Sequence, residues 1–172
     1  MTVAKLAAWL AAIMMKWTPA AVPAVPAEDV AQDIAQAVVL EGSVAELGEK
    51  KTAGLLASLA YWEGARFARY VDDASCNAWQ AGRLGLHTQE AKKLLAYGHC
   101  DHGRAFSLWQ IWPRDAEEKT ALAVRSYAAR RALERVKSSW ATRGNLSAYA
   151  GEPRDRHPKA DEREAFARRF FW

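Results

Sequence analysis

A chain of 172 residues is long enough for one domain with a substantial core, and an apolar fraction of 51% with eight tryptophans excludes an unfolded, low-complexity polypeptide. The net charge of +4 is unevenly spread: four lysines against six acids leave −2 over residues 1–60, the signs balance over 61–120, and twelve Lys/Arg against six acids leave +6 over 121–172. A basic final third fits an anionic partner, whether nucleic acid, a membrane surface or an acidic cell-wall polymer, without choosing among them.

Met1–Trp17 reads as an apolar helix, with no charge between Lys5 and Lys16. That run is too short to span a bilayer as a helix. It fits either the apolar region of a secretory signal, with Ala24-Val25-Pro26-Ala27 as the cleavage region, or a retained anchoring helix. Pro19, Pro23 and Pro26 then make a stiff linker, so residues 1–27 are set apart from a main domain over 28–172. Glu28-Asp29 sit where a helix N-terminus favours negative charge, and Val30, Ile34, Ala37, Val38 and Leu40 give one apolar face to a helix over 28–41. Gly42-Ser43 break it. A second helix is expected over 44–63, with Leu55, Leu56, Leu59 and Trp62 at helical spacing.

Between Arg66 and Arg104 the periodicity fades into turn chemistry, except for a short helix at about 88–97 ended by Gly98. Cys76 and Cys100 flank this excursion. A disulfide there would close about 24 residues and stabilise by about 3 kcal/mol in the chain-entropy model. The alternative is two thiols in a reducing compartment. His87, His99 and His102 lie near, but the cysteine spacing fits no usual zinc pattern, and no metal is expected. The longest helix is expected over 115–140, with Val124, Tyr127, Ala128, Ala132, Val136 and Trp140 inward and Arg125, Arg130, Arg131, Arg135 and Lys137 on the solvent side. A loop over 153–158 leads into a last amphipathic helix, 161–171. The expected class is mainly α, with any β structure confined to 66–104.

Glu63 carries the chemistry. It follows an apolar helical run and stands among Tyr61, Trp62 and Phe67, where lost hydration would help a carboxyl group keep its proton for use as a general acid. Downstream come Ser107-Leu108-Trp109-Gln110-Ile111 and Ala148-Tyr149-Ala150-Gly151. These three segments, in this order, resemble the lysozyme-like superfamily in its soluble lytic transglycosylase and goose-type lysozyme branch. The pattern there is Glu-Ser, a Gly-Leu-Met-Gln-Ile-type segment and Ala-Tyr-Asn-x-Gly, and the resemblance covers about residues 52–151. The chain departs from it at Gly64, Ser107, Trp109 and Ala150, and in the long insertion between Cys76 and Cys100.

The resemblance implies a lysozyme-like helical domain, with the Cys76–Cys100 loop as its insertion, that cleaves peptidoglycan between N-acetylmuramic acid and N-acetylglucosamine. Glu63 would be the single acid/base. Gln110 would line the sugar cleft with Ser107, Tyr149 would position Glu63, and Trp109, with Phe106 and Trp112 less directly, would offer flat surfaces to sugar rings. Core packing is the other reading of Trp109 and the favoured one for Trp62 and Trp140. A hydrolase would need a second carboxylate to orient water. Asp72, Asp73 and Asp101 are the candidates, although aspartate is also a standard turn residue. No cofactor is implied. The implied partners are glycan strands and an envelope or virion assembly, which places the protein's action in the periplasm, at the cell envelope or on a phage particle. The competing reading is a non-catalytic lysozyme-like subunit that binds glycan or builds such an assembly. Nucleic-acid binding lacks a motif, and the arginines alternate with acids on the same helices.

Overall fold

The computed structural model describes residues 1–17, 25–64, 105–149 and 158–172. Six helices run through them: α1 (Val3–Met14), α2 (Ala27–Glu41), α3 (Gly48–Glu63), α4 (Ala116–Ala121), α5 (Arg125–Arg143) and α6 (Pro158–Phe171). No strand occurs among the described residues, where an isolated antiparallel bridge joins Phe106 and Ile111. The fold is therefore mainly helical, as the periodicity indicated. Cys76, Cys100, Asp72, Asp73, Asp101, Phe67 and the short helix expected at 88–97 lie outside the described residues.

Helix α3 is the centre. Every residue from Thr52 to Ala60 is buried, which an amphipathic helix would not allow and a helix enclosed by neighbours requires. It begins at Gly48, later than the expected 44, because Val44–Leu47 close a turn through the N–H groups of Leu47 and Gly48 on the Val44 carbonyl. Helix α6 packs along it so closely that a Cβ at Gly54 would lie 2.5 Å from the Cβ of Phe171. The Oγ of Ser58 donates 2.7 Å to the Arg163 carbonyl and fixes the register of the pair.

The N-terminal helix is not a separate appendage. Leu6, Leu10 and Met14, one helical turn apart, are fully enclosed against α2 and α3. Trp17 then contacts Tyr61, Phe166, Phe170 and Phe171, so the ends of α1, α3 and α6 share one aromatic cluster. No helix among the described residues is long and apolar enough to cross a membrane.

The single helix expected over 115–140 is broken. Asp115 caps α4 by accepting from the Glu118 N–H at 2.8 Å, and Val124, with ψ 111°, turns the chain before α5 starts. The physical reason lies in Glu118. Its Oε1 is 2.6 Å from the Nε of Arg131, whereas residues thirteen apart on a straight helix stand about 20 Å from each other. The basic row of α5 also differs from expectation. Arg125 pairs with Asp33 at 2.5 Å, Arg130 with Glu41 at 3.8 Å, and Lys137 Nζ donates 2.9 Å to the Glu41 carbonyl at the negative end of α2. Successive pairs advance in the same direction on both helices, so α2 and α5 run parallel, and Arg125, Arg130 and Lys137 face α2 while keeping part of their side chains in solvent.

Candidate active site

Residues 106–111 form a tight loop closed by two bonds between Phe106 and Ile111, 2.9 Å from the Phe106 N–H and 2.8 Å from the Ile111 N–H. Ser107 (φ 66°) and Gln110 (φ 49°) both take the left-handed conformation that glycine adopts freely and other residues seldom do. Local bonds offset that cost. The Ser107 carbonyl accepts from the Gln110 N–H at 3.1 Å and from Gln110 Nε2 at 2.9 Å, and the Ser107 Oγ accepts from the Trp109 N–H at 3.3 Å. Ser107 is buried and works inside the loop, not on a surface.

Trp109 anchors this loop to the core. It is fully enclosed, and its indole N–H donates 2.9 Å to the Leu56 carbonyl in the middle of α3. It therefore packs the interior and offers no face to a sugar ring, and Phe106 is buried as well. The exposed aromatics nearby are Trp112, 50% exposed and held through its carbonyl by Arg135 Nη2 at 2.8 Å, and Trp62, 42% exposed beside Glu63. The core role expected for Trp62 is corrected accordingly: it meets Tyr61 and Phe166 edge-on and leaves much of its ring to solvent.

The loop also approaches the end of α3. A Cβ at Gly64 would lie 2.9 Å from the Leu108 carbonyl oxygen and 3.0 Å from Leu108 Cδ2. The glycine that stands where the resembled pattern has serine is thus required by packing. Tyr149 completes the corner, its hydroxyl donating 2.8 Å to the Trp109 carbonyl. Burial pushes that hydroxyl well above the usual phenol range, and the neighbouring charge of Glu63 adds to the effect. Glu63, Gly64, the 106–111 loop and Tyr149, dispersed over almost ninety residues, meet in one place.

Glu63 itself is 25% exposed on its side chain, and its Oε1 is 2.6 Å from Nη2 of Arg163. The expectation of an acid enclosed by aromatic rings is replaced by a carboxylate held by a guanidinium, with its other oxygen meeting no further described residue. Arg163 was missed in the sequence. Its signal was present, because Ala160, Arg163, Ala167 and Phe171 form the buried stripe of α6, and an arginine on such a stripe needs a buried partner. Among the described residues no cluster of three or more metal-ligating side chains occurs. The Tyr149 hydroxyl, expected to position Glu63, is buried and donates to the Trp109 carbonyl, so the arrangement can present one carboxylate to a ligand, with the exposed indole of Trp62 beside it. No protein-family model, no curated protein and no solved structure matches this chain.

Proposed function

We propose that this chain is a peptidoglycan-cleaving enzyme, acting as a lytic transglycosylase on the bond between N-acetylmuramic acid and N-acetylglucosamine. The observation that carries the reading is the convergence of Glu63, the 106–111 loop and Tyr149. The left-handed backbone of Ser107 adds support, since the resembled pattern has glycine there. In its protonated form, with the proton on the oxygen that Arg163 does not hold, Glu63 gives that proton to the glycosidic oxygen as the bond to the anomeric carbon breaks, and the substrate's own N-acetyl group stabilises the positive charge. The Glu63 carboxylate then takes the proton of the sugar's 6-hydroxyl as that oxygen closes on the anomeric carbon, leaving a 1,6-anhydro end. One carboxylate suffices for both steps, in contrast to the paired acids of most glycosidases. Gln110 and the exposed Trp112 and Trp62 border the path of the glycan. The setting of this activity is the periplasm, the envelope or a phage particle.

A second reading, a glycan-binding or structural subunit without catalysis, is favoured by the Glu63–Arg163 pair, because a carboxylate already held by arginine can serve architecture alone. Mass spectrometry of the products released from purified peptidoglycan separates the two. Anhydro-muropeptides from the wild type and none from Glu63→Gln are expected. Reducing-end products from the wild type would replace the transglycosylase by a hydrolase using Asp72, Asp73 or Asp101. No product, with the protein still pelleting with the wall, would leave the binding subunit.

A further inference from the structure

Glu63 is the last residue of α3, in the final turn whose carbonyls have no partner within the helix. An acid that must meet one oxygen of a substrate needs its own side chain fixed to within about 0.5 Å, and α3 alone does not provide that. We propose that Arg163 is the positioning residue of Glu63, which makes α6 part of the active centre; this rests on Glu63 being the acid/base.

Three features of Arg163 point the same way. Its side chain is only 9% exposed, and Nη2 reaches Glu63 Oε1 at 2.6 Å. Nη1 donates 2.5 Å to the Lys159 carbonyl one turn back on α6, so the guanidinium is braced from its own helix. The Arg163 backbone is in turn tied to α3 through Ser58 Oγ, five residues before Glu63. The chain Ser58–Arg163–Glu63 therefore leaves α3 and returns to it, and it sets the carboxylate relative to the enclosed middle of the helix as well as to its end. Among the described residues the buried Nε–H meets no acceptor. A buried arginine chosen for hydrogen-bond satisfaction would not leave a donor unmet. The arginine occupies this position for Glu63, and it binds one carboxylate oxygen while the other meets no further described residue.

The test measures kcat and KM on uncrosslinked glycan strands for the wild type, Glu63→Gln, Arg163→Met and Arg163→Lys, with thermal melts of each. Met keeps the apolar stem in place without the charge, and Lys keeps the charge without the planar fork that serves Lys159 and Glu63 together. The expected result is a fall in kcat of about 100-fold for Arg163→Met, the scale of a misplaced catalytic group, with a smaller fall for Arg163→Lys and KM within about threefold throughout. An active, Glu63-dependent wild type whose Arg163 variants keep kcat within about threefold, or lose only KM, overturns the proposal. If Arg163→Met does not fold, Arg163→Lys decides by the same criterion. A wild type that releases no product overturns the enzymatic reading itself, and this one with it.

Discussion

Of the carboxylates that arginine holds among the described residues, Glu118 and Glu63 are held in opposite ways. Glu118, with its side chain 2% exposed, uses both oxygens: Oε2 accepts from the Arg114 N–H at 2.7 Å and from Arg114 Nε at 2.9 Å, and Oε1 accepts from Arg131 Nε at 2.6 Å. Burial pushes its pKa up, but the hydrogen bonds from Arg114 and Arg131 outweigh it and hold the group at about 2. Arg114 is correspondingly raised by the same bond. Glu63 gives one oxygen to one arginine and keeps a quarter of its side chain open. A buried carboxylate with both oxygens engaged holds structure together, whereas one with an oxygen that meets no further described residue, beside the exposed Trp62, can meet a ligand.

Removing the structural carboxylate gives the largest effect. Glu118→Ala removes the buried carboxylate that joins Arg114 to Arg131, leaves Arg131 with Glu134 alone, and is expected to cost about 3 kcal/mol at neutral pH, lowering the melting temperature by several degrees. The pH dependence follows from the sign of the shift. The folded value, about 2, lies below the ordinary 4.5, so the stabilisation is complete above about pH 4.5 and is lost as pH falls towards 2. This contribution is on the order of 3 kcal/mol. Urea melts of wild type and variant should converge over that interval; parallel curves would remove Glu118 as the acid-sensitive group.

Gly64→Ser comes next. The added Cβ would lie 2.3 Å from the Ala60 carbonyl oxygen and 2.9 Å from that of Leu108, and overpacking against backbone costs about 1–3 kcal/mol. A variant that melts like the wild type would show that neither the Ala60 carbonyl nor the 106–111 loop crowds Gly64. Glu63→Gln sharpens the contrast with Glu118. The amide keeps an oxygen for Arg163, so a loss of about 1 kcal/mol is expected, alongside a fall in muropeptide release of about 10²–10⁴-fold. Stability loss comparable to Glu118→Ala would make Glu63 a structural residue. The smallest effect belongs to Arg130→Gln, whose pair with Glu41 is half exposed on both sides and should change stability by less than about 0.5 kcal/mol.

The sequence revealed α2 almost to the residue, because Glu28-Asp29 mark its start and its apolar stripe is unbroken. The end of α3 at Glu63 was legible for a similar reason, Gly64 following a dense apolar run. The break between α4 and α5 was not. Leu122-Ala123-Val124 suit a helix locally, and the feature that opposes one is the demand of Glu118 for Arg131, which acts only in three dimensions. Trp109 shows the same limit at the candidate site: an aromatic next to a polar motif reads equally as sugar platform or core, and the Leu56 carbonyl decides for core.

What the residues determined by themselves was the helical class, the helix ends that carry caps or glycines, and Glu63 as the acid worth attention, since periodicity and turn chemistry are local properties. Tertiary structure decided which charges meet. Asp33 with Arg125, Glu118 with Arg131 and Glu63 with Arg163 lie 92, 13 and 100 residues apart, and each pair forms because a buried charge must find its opposite wherever packing brings one within reach.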